Sequence, residues 1–115
     1  MSKYMQLTVD VRPFYTKGFK AAYPKLAGNL LHAKAVKEYD DPSLYDLVAT
    51  FDKLLYALDG NPKVKEIMLK QKDRLKALYG EIEGHIADRK LSEADKALYK
   101  IEDIFEDIEY DLAGL

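Results

Sequence analysis

The sequence predicts an all-α protein: a small antiparallel bundle of four main helices, preceded by a short helix and an extended N-terminal arm or strand. Three observations lead there. Apolar residues recur at alternating spacings of three and four over most of the chain, the repeat of one helix face. Two helix starts are written as Asp41-Pro42 and Asn61-Pro62, a capping residue followed by proline at the first helical position. Only one segment, 4–12, has the period of two that marks a strand.

In that first segment Met5, Leu7, Val9 and Val11 alternate with Tyr4, Gln6, Thr8, Asp10 and Arg12. No later segment offers a second strand. A lone strand has unmet backbone donors and acceptors, so it is expected to dock along the bundle or to pair with a second copy. Phe14, Phe19 and Tyr23 suggest a short helix closing one end of the core. Pro24 then opens a helix expected to run to about residue 39, with Leu26, Leu30, Ala33 and Lys37 on one face and Val36 beside it.

The second main helix follows Pro42 and carries Leu44, Leu47, Val48, Phe51, Leu54, Leu55 and Leu58 before Asp59-Gly60 ends it. Tyr45, Ala49 and Tyr56 widen its apolar arc, which places it in the middle of a bundle. The third starts at Pro62, presents Val64, Ile67, Met68, Gln71, Leu75, Leu78, Ile82 and Ile86 on one face, and is expected to end near 87–89. Gly80 and Gly84 weaken its second half by about 1 kcal/mol each relative to alanine. The last helix is the plainest: Leu91, Ala94, Leu98, Ile101, Phe105, Ile108 and Leu112 make one unbroken seam, with Ser92 and Asp95 as a weak capping box. Short connections set these helices side by side and antiparallel. The 115 residues therefore read as one domain, an arm over 1–12 and a bundle over 13–115.

Composition narrows the functional classes. At 48% hydrophobic and 33% charged the chain has the make-up of a globular protein. It has no cysteine, which removes disulfide, thiol and zinc–thiolate chemistry and fits a reducing compartment, so the cytoplasm is expected. No stretch approaches the roughly 20 apolar residues of a membrane span, and the first residues have no apolar core of signal-peptide length.

The net charge of −2 hides blocks of alternating sign. Residues 1–37 carry seven basic side chains and one acidic, whereas all six charged residues of 101–115 are acidic: Glu102, Asp103, Glu106, Asp107, Glu109 and Asp111. An antiparallel turn near residue 90 would bring Lys76 to Asp103 and Lys72 to Asp107, with Lys65 near the C-terminal end. On that reading the acidic run is largely answered within the bundle, and what such surface pairs leave for a partner is the outward set, chiefly Asp103 and Asp107.

The reading that follows is a non-enzymatic bundle protein without a cofactor, acting by association with another protein, a second copy of itself included. Its interface candidates are Met5, Leu7, Val9 and Val11 in the arm and Asp103 and Asp107 on the last helix. One alternative is a nucleic-acid surface built from Arg12, Lys17, Lys20, Lys25 and Tyr15, since cations interleaved with aromatics can neutralise and stack on a strand. The acidic pI of 5.7 and the absence of a recognition motif oppose it. The other alternative is a metal or catalytic centre at His85 and Glu81, with His32. Neither histidine has glutamate three residues before it, the pairing that di-iron bundles use, and none of the three serines, Ser2, Ser43 and Ser92, has the setting of an activated nucleophile.

Overall fold

In the computed structural model, which describes residues 11, 15, 17–35 and 41–115, every regular element is a helix. In chain order these are α1 (Phe19–Ala22), α2 (Pro24–His32), α3 (Leu44–Ala49), α4 (Phe51–Ala57), α5 (Pro62–Leu69), α6 (Lys72–Ala87) and α7 (Leu91–Ala113). The fold is all-α. None of the helices is long and apolar enough to cross a membrane. The arm residues Met5, Leu7 and Val9 lie outside the described residues; Val11 is half-buried.

Helix α7 is the element the others are built on: α2, α3, α5 and α6 all pack against it. Its inner face buries Ala94, Ala97, Ile101, Ile104, Phe105, Ile108 and Leu112. The seam expected from spacing is therefore largely right, with two changes. Leu98 is half-buried and Leu91, at the open end, is 52% exposed, while Ala97 and Ile104 join the buried face. That stripe meets Leu26, Ala27 and Leu30 of α2, Leu47 and Val48 of α3, Val64 and Met68 of α5, and Leu75, Leu78 and Ile82 of α6 in one continuous core.

Two of the long helices expected from the sequence are each divided in two. The second bends at Thr50, whose hydroxyl donates to the Asp46 carbonyl at 3.1 Å. A threonine bonding back to the carbonyl four residues before it bends a helix. The break separates Tyr45, which is half-buried, from Tyr56, which is 79% exposed; an unbroken helix would have placed both on one edge. The third divides at Lys70 and Gln71, where the Gln71 N–H reaches only to the Met68 carbonyl, three residues back, at 3.1 Å. No proline or glycine forces that turn.

Helix starts also differ from expectation in which residue caps. Ser43, not Asp41, caps α3: its hydroxyl accepts the Asp46 N–H at 3.0 Å. Asp41 instead accepts the Phe19 N–H at 2.8 Å, serving α1 from 22 residues away. Ser92 lies inside the first turn of α7, which starts from Lys90 without a side-chain cap. The same Ser-x-x-Asp spelling thus caps one helix and is passed over in the other.

Helix α2 ends at His32 rather than near residue 39. It closes through a left-handed Lys34 (φ 58°), with the Lys34 N–H on the Leu31 carbonyl and the Ala35 N–H on the Leu30 carbonyl. Helix α6 closes in the same way through Arg89 (φ 59°), whose N–H meets Ile86 O while the Lys90 N–H meets His85 O. These are Schellman closures, normally made by glycine because a side chain in the left-handed region costs about 1–2 kcal/mol. Meanwhile Gly28, Gly80 and Gly84 sit inside helices with open space where a Cβ would stand.

Glycine is therefore spent where alanine would serve and missing where it would help. Gly28→Ala, Gly80→Ala and Gly84→Ala are each expected to raise unfolding free energy by about 0.5–1 kcal/mol. Lys34→Gly and Arg89→Gly are also expected to raise it, by about 1 kcal/mol, because there glycine removes the side chain from a left-handed position. Urea titration followed by circular dichroism checks all five.

Candidate functional site

The acidic residues sort by what they touch. Glu109 reaches from α7 to the start of α2, where its carboxylate accepts the Lys25 N–H at 3.0 and 3.1 Å and the Leu26 N–H at 2.9 Å. Helix α2 has no side-chain cap of its own, and Pro24 has no N–H to offer. Glu109 thus satisfies orphan donors from 84 residues away, on the end of α2 where a negative charge is favoured.

The lysines of α6 go elsewhere than expected. Lys76 and Lys72 both pair with Asp52 of α4, at 2.7 and 3.3 Å, so the expected pairs with Asp103 and Asp107 do not form. Lys65 pairs with Asp59. Hydrogen bonding from Lys76 is the largest influence holding the Asp52 carboxyl below the ordinary range. The physical reason is a matter of flanks. At about 100° per residue, Lys72, Lys76, Tyr79 and Glu83 fall on one side of α6, and that side faces α3 and α4. There Tyr79 stacks on Tyr45 with ring centroids 4.6 Å apart, and the Tyr45 hydroxyl donates to Glu83 Oε1 at 2.6 Å. That hydrogen bond lowers the Glu83 pKa, while burial, then the bond to Glu83, raises that of Tyr45.

With those cations engaged, Asp103 and Asp107 are exposed, and no ion pair is formed by either among the described residues. Tyr99, Asp103, Glu106 and Tyr110 recur at four, three and four residues, which sets them on the side of α7 directly away from its core stripe. Tyr99 is 61% exposed and Tyr110 is 81% exposed. Beside this stripe, burial raises the pKa of Glu102, and the charges acting on it are all of its own sign: Glu106, Asp103 and Asp95.

A cleft of about 270 Å³ opens next to Glu102, lined by Tyr15, Tyr23 and Tyr45 and floored by Leu44, Leu98 and Ile101. The Tyr15 hydroxyl donates to the Pro42 carbonyl at 2.6 Å. The rings of Tyr15, Phe19, Tyr23 and Phe105 follow one another at 5.8, 6.1 and 6.2 Å, a ladder leading into the core. Burial, followed by the Glu102, Glu106 and Glu109 carboxylates, pushes the Tyr23 hydroxyl up to about 12. Nothing in the sequence pointed to this cleft, because its walls come from the residues around α1, the start of α3 and the middle of α7.

The other sequence candidates lie mostly on the surface. Lys17, Lys20 and Lys25 are exposed, Arg12 is outside the described residues, and Tyr15 is half-buried against Phe19. His85 is half-buried on α6, Glu81 is exposed, and His32 is exposed at the end of α2. Among the described residues no group of three or more histidines and carboxylates is placed to hold a metal ion.

Two substitutions separate the structural acid from the repelled one. Glu109→Ala is expected to lower unfolding free energy by about 1–2 kcal/mol, since it orphans the donors at the start of α2. Glu102→Gln is expected to act the other way. A raised folded-state pKa means that the folded chain holds the proton more tightly than the unfolded one. That contribution is full below the ordinary glutamate range and lost as pH rises through the raised value. The gain from Glu102→Gln is therefore present at neutral pH, kept under about 1 kcal/mol by solvent screening, and absent near about pH 3. Thermal melts at the two pH values check the sign.

Comparison of the chain with protein-family models, with curated proteins and with solved structures finds no match, so the functional argument rests on the residues themselves.

Proposed function

We propose that this chain is a non-enzymatic association protein whose docking face is the outer surface of α7, and that its partner is a basic protein segment. The observation that carries this is the stripe of Tyr99, Asp103, Glu106 and Tyr110, exposed on the helix against which four others pack. The cations that would otherwise have neutralised α7 are held by Asp52.

Two features of the stripe support the reading. Tyrosine suits a surface that is wet when free and apolar when covered, because its ring is greasy and its hydroxyl polar. Acids without countercharges draw a cationic partner by long-range attraction and disfavour an acidic one. A second copy of the chain could be such a partner, since residues 1–37 carry a net charge of +6 from seven basic and one acidic side chains.

The test uses the full chain. Light scattering at low and high salt reports self-association, and anisotropy of a labelled lysine- and arginine-rich helical peptide reports binding. Either a salt-sensitive dimer or salt-sensitive peptide binding is expected, weakened about tenfold or more by Asp103→Lys with Glu106→Lys. Light scattering on a chain lacking residues 1–12 distinguishes exchange through the arm from docking on α7. A chain that stays monomeric and ignores the basic peptide at low salt overturns the proposal, and preferential binding of single-stranded nucleic acid would favour the basic N-terminal region instead.

A further inference from the structure

We propose that the cleft beside Glu102 is a binding site for an organic cation, specifically a guanidinium, presented as an arginine side chain by a docked partner or as a small molecule. In its peptide form the proposal rests on the association reading above; in its small-molecule form it does not.

The walls carry the argument. Three tyrosine rings line the cleft, and each is held from outside it. Tyr15 is fixed by its bond to the Pro42 carbonyl at 2.6 Å and by the Phe19 ring at 5.8 Å. Tyr23 is wedged between the Phe19 and Phe105 rings at 6.1 and 6.2 Å. Tyr45 is stacked on Tyr79 at 4.6 Å and tied to Glu83 at 2.6 Å. Aromatic surface fixed before binding attracts a cation without the cost of ordering the rings.

Glu102 supplies the charge. Among the described residues it is the one charged side chain lining the cleft. The groups that act on it are all acids, Glu106 one turn on, Asp103 next in the chain and Asp95 two turns back, so a cation beside it relieves repulsion as well as forming a pair. The Tyr23 hydroxyl has no hydrogen-bond partner within the described residues and its pKa of about 12 keeps it protonated, leaving its oxygen free to accept. Leu44, Leu98 and Ile101 give the cleft an apolar floor.

Size and shape select the head group. At about 270 Å³ the cleft is just under the roughly 300–1,000 Å³ of sites for larger ligands, so it suits a single side chain. A guanidinium is flat, weakly hydrated and able to stack on a ring while its N–H groups reach a carboxylate, whereas an ammonium is a strongly hydrated point charge.

The experiment titrates the full chain with methylguanidinium, with the uncharged isostere methylurea, and with a basic peptide in two forms that differ only by arginine or norleucine at one position. Amide and side-chain NMR shifts locate the response. Methylguanidinium is expected to saturate shifts at Tyr23, Leu98, Ile101 and Glu102, with methylurea inert and Glu102→Gln weakening binding at least about fivefold. Glu102 stands at the exposed mouth, and unchanged circular dichroism confirms that its variant is folded.

Equal response to methylurea, unaltered affinity in Glu102→Gln, or shifts elsewhere in the chain would each overturn the proposal. If the peptide binds equally with arginine or norleucine and methylguanidinium does nothing, the α7 association stands and the cleft proposal falls. If methylguanidinium binds as described and neither peptide does, the cleft is a small-molecule site, and the association reading falls with it unless the chain forms the salt-sensitive dimer.

Discussion

The contact on which the arrangement most depends joins the two ends of the chain: the Glu109 carboxylate on the first free N–H groups of α2. A nine-residue helix is marginal by itself, and α2 carries Gly28 in its middle and no cap of its own at its start. Its buried Leu26, Ala27 and Leu30 supply the driving force for docking on α7, but an apolar stripe alone tolerates sliding. A carboxylate that must meet two particular N–H groups does not. It fixes the level at which α2 sits along α7 and hence where Tyr23, the residue before α2, meets Phe105. The same device recurs nearby, where Asp41 serves the Phe19 N–H. Gly18, at φ 91°, is needed there, because a Cβ would come within 3.2 Å of the Asp41 carboxylate.

Two short helices thus borrow their caps from acids distant in sequence, and this explains part of an acidic surplus that would otherwise only repel itself. The explanation stops at Glu109. Glu102, Asp103, Glu106 and Asp107 make no such bond among the described residues, and the field at Glu102 is that of like charges. Repulsion of this kind weakens the folded state. Nothing in the packing of α7 requires it, since the core stripe lies on the opposite side. On the association proposal, this surface, costly to stability and bracketed by open tyrosines, answers to a partner instead of to the packing.

Helical identity and the core were legible in the sequence because both follow from spacing. Nearly all of the α7 stripe, the Asn61-Pro62 start and the end of α6 near residue 88 could be read from local pattern alone. Partner choice could not. Spacing sets Lys72 and Lys76 on one flank of α6, but a flank faces one of two neighbours, and the pattern does not say whether α4 or α7 fills that place. Ser43 and Ser92 begin the same Ser-x-x-Asp spelling and only the first caps, because the helix that contains Ser92 begins one residue before it. The stop of α2 at His32 was hidden for a related reason: a lysine occupies the left-handed position where a glycine would have announced the end. The cleft was least legible of all, being made by residues from three separated stretches.

The rigidity of α7 bears on both proposals. Its inner side is held by α2, α3, α5 and α6 at once, so its outer stripe is presented by a helix already packed on its other face. The cleft shares that helix. Glu102 and Glu106 are one turn apart, one at the mouth of the cleft and the other within the outer stripe. A basic segment lying along α7 would pass the cleft mouth without turning, and one long cationic side chain directed toward Glu102 would reach the tyrosines. Affinity would then come from surfaces already in place, with tyrosines that have few torsions to freeze. Selectivity would come from the cleft, because an acidic face accepts any cation of roughly the right spacing, whereas fixed rings around one carboxylate favour a flat cationic head.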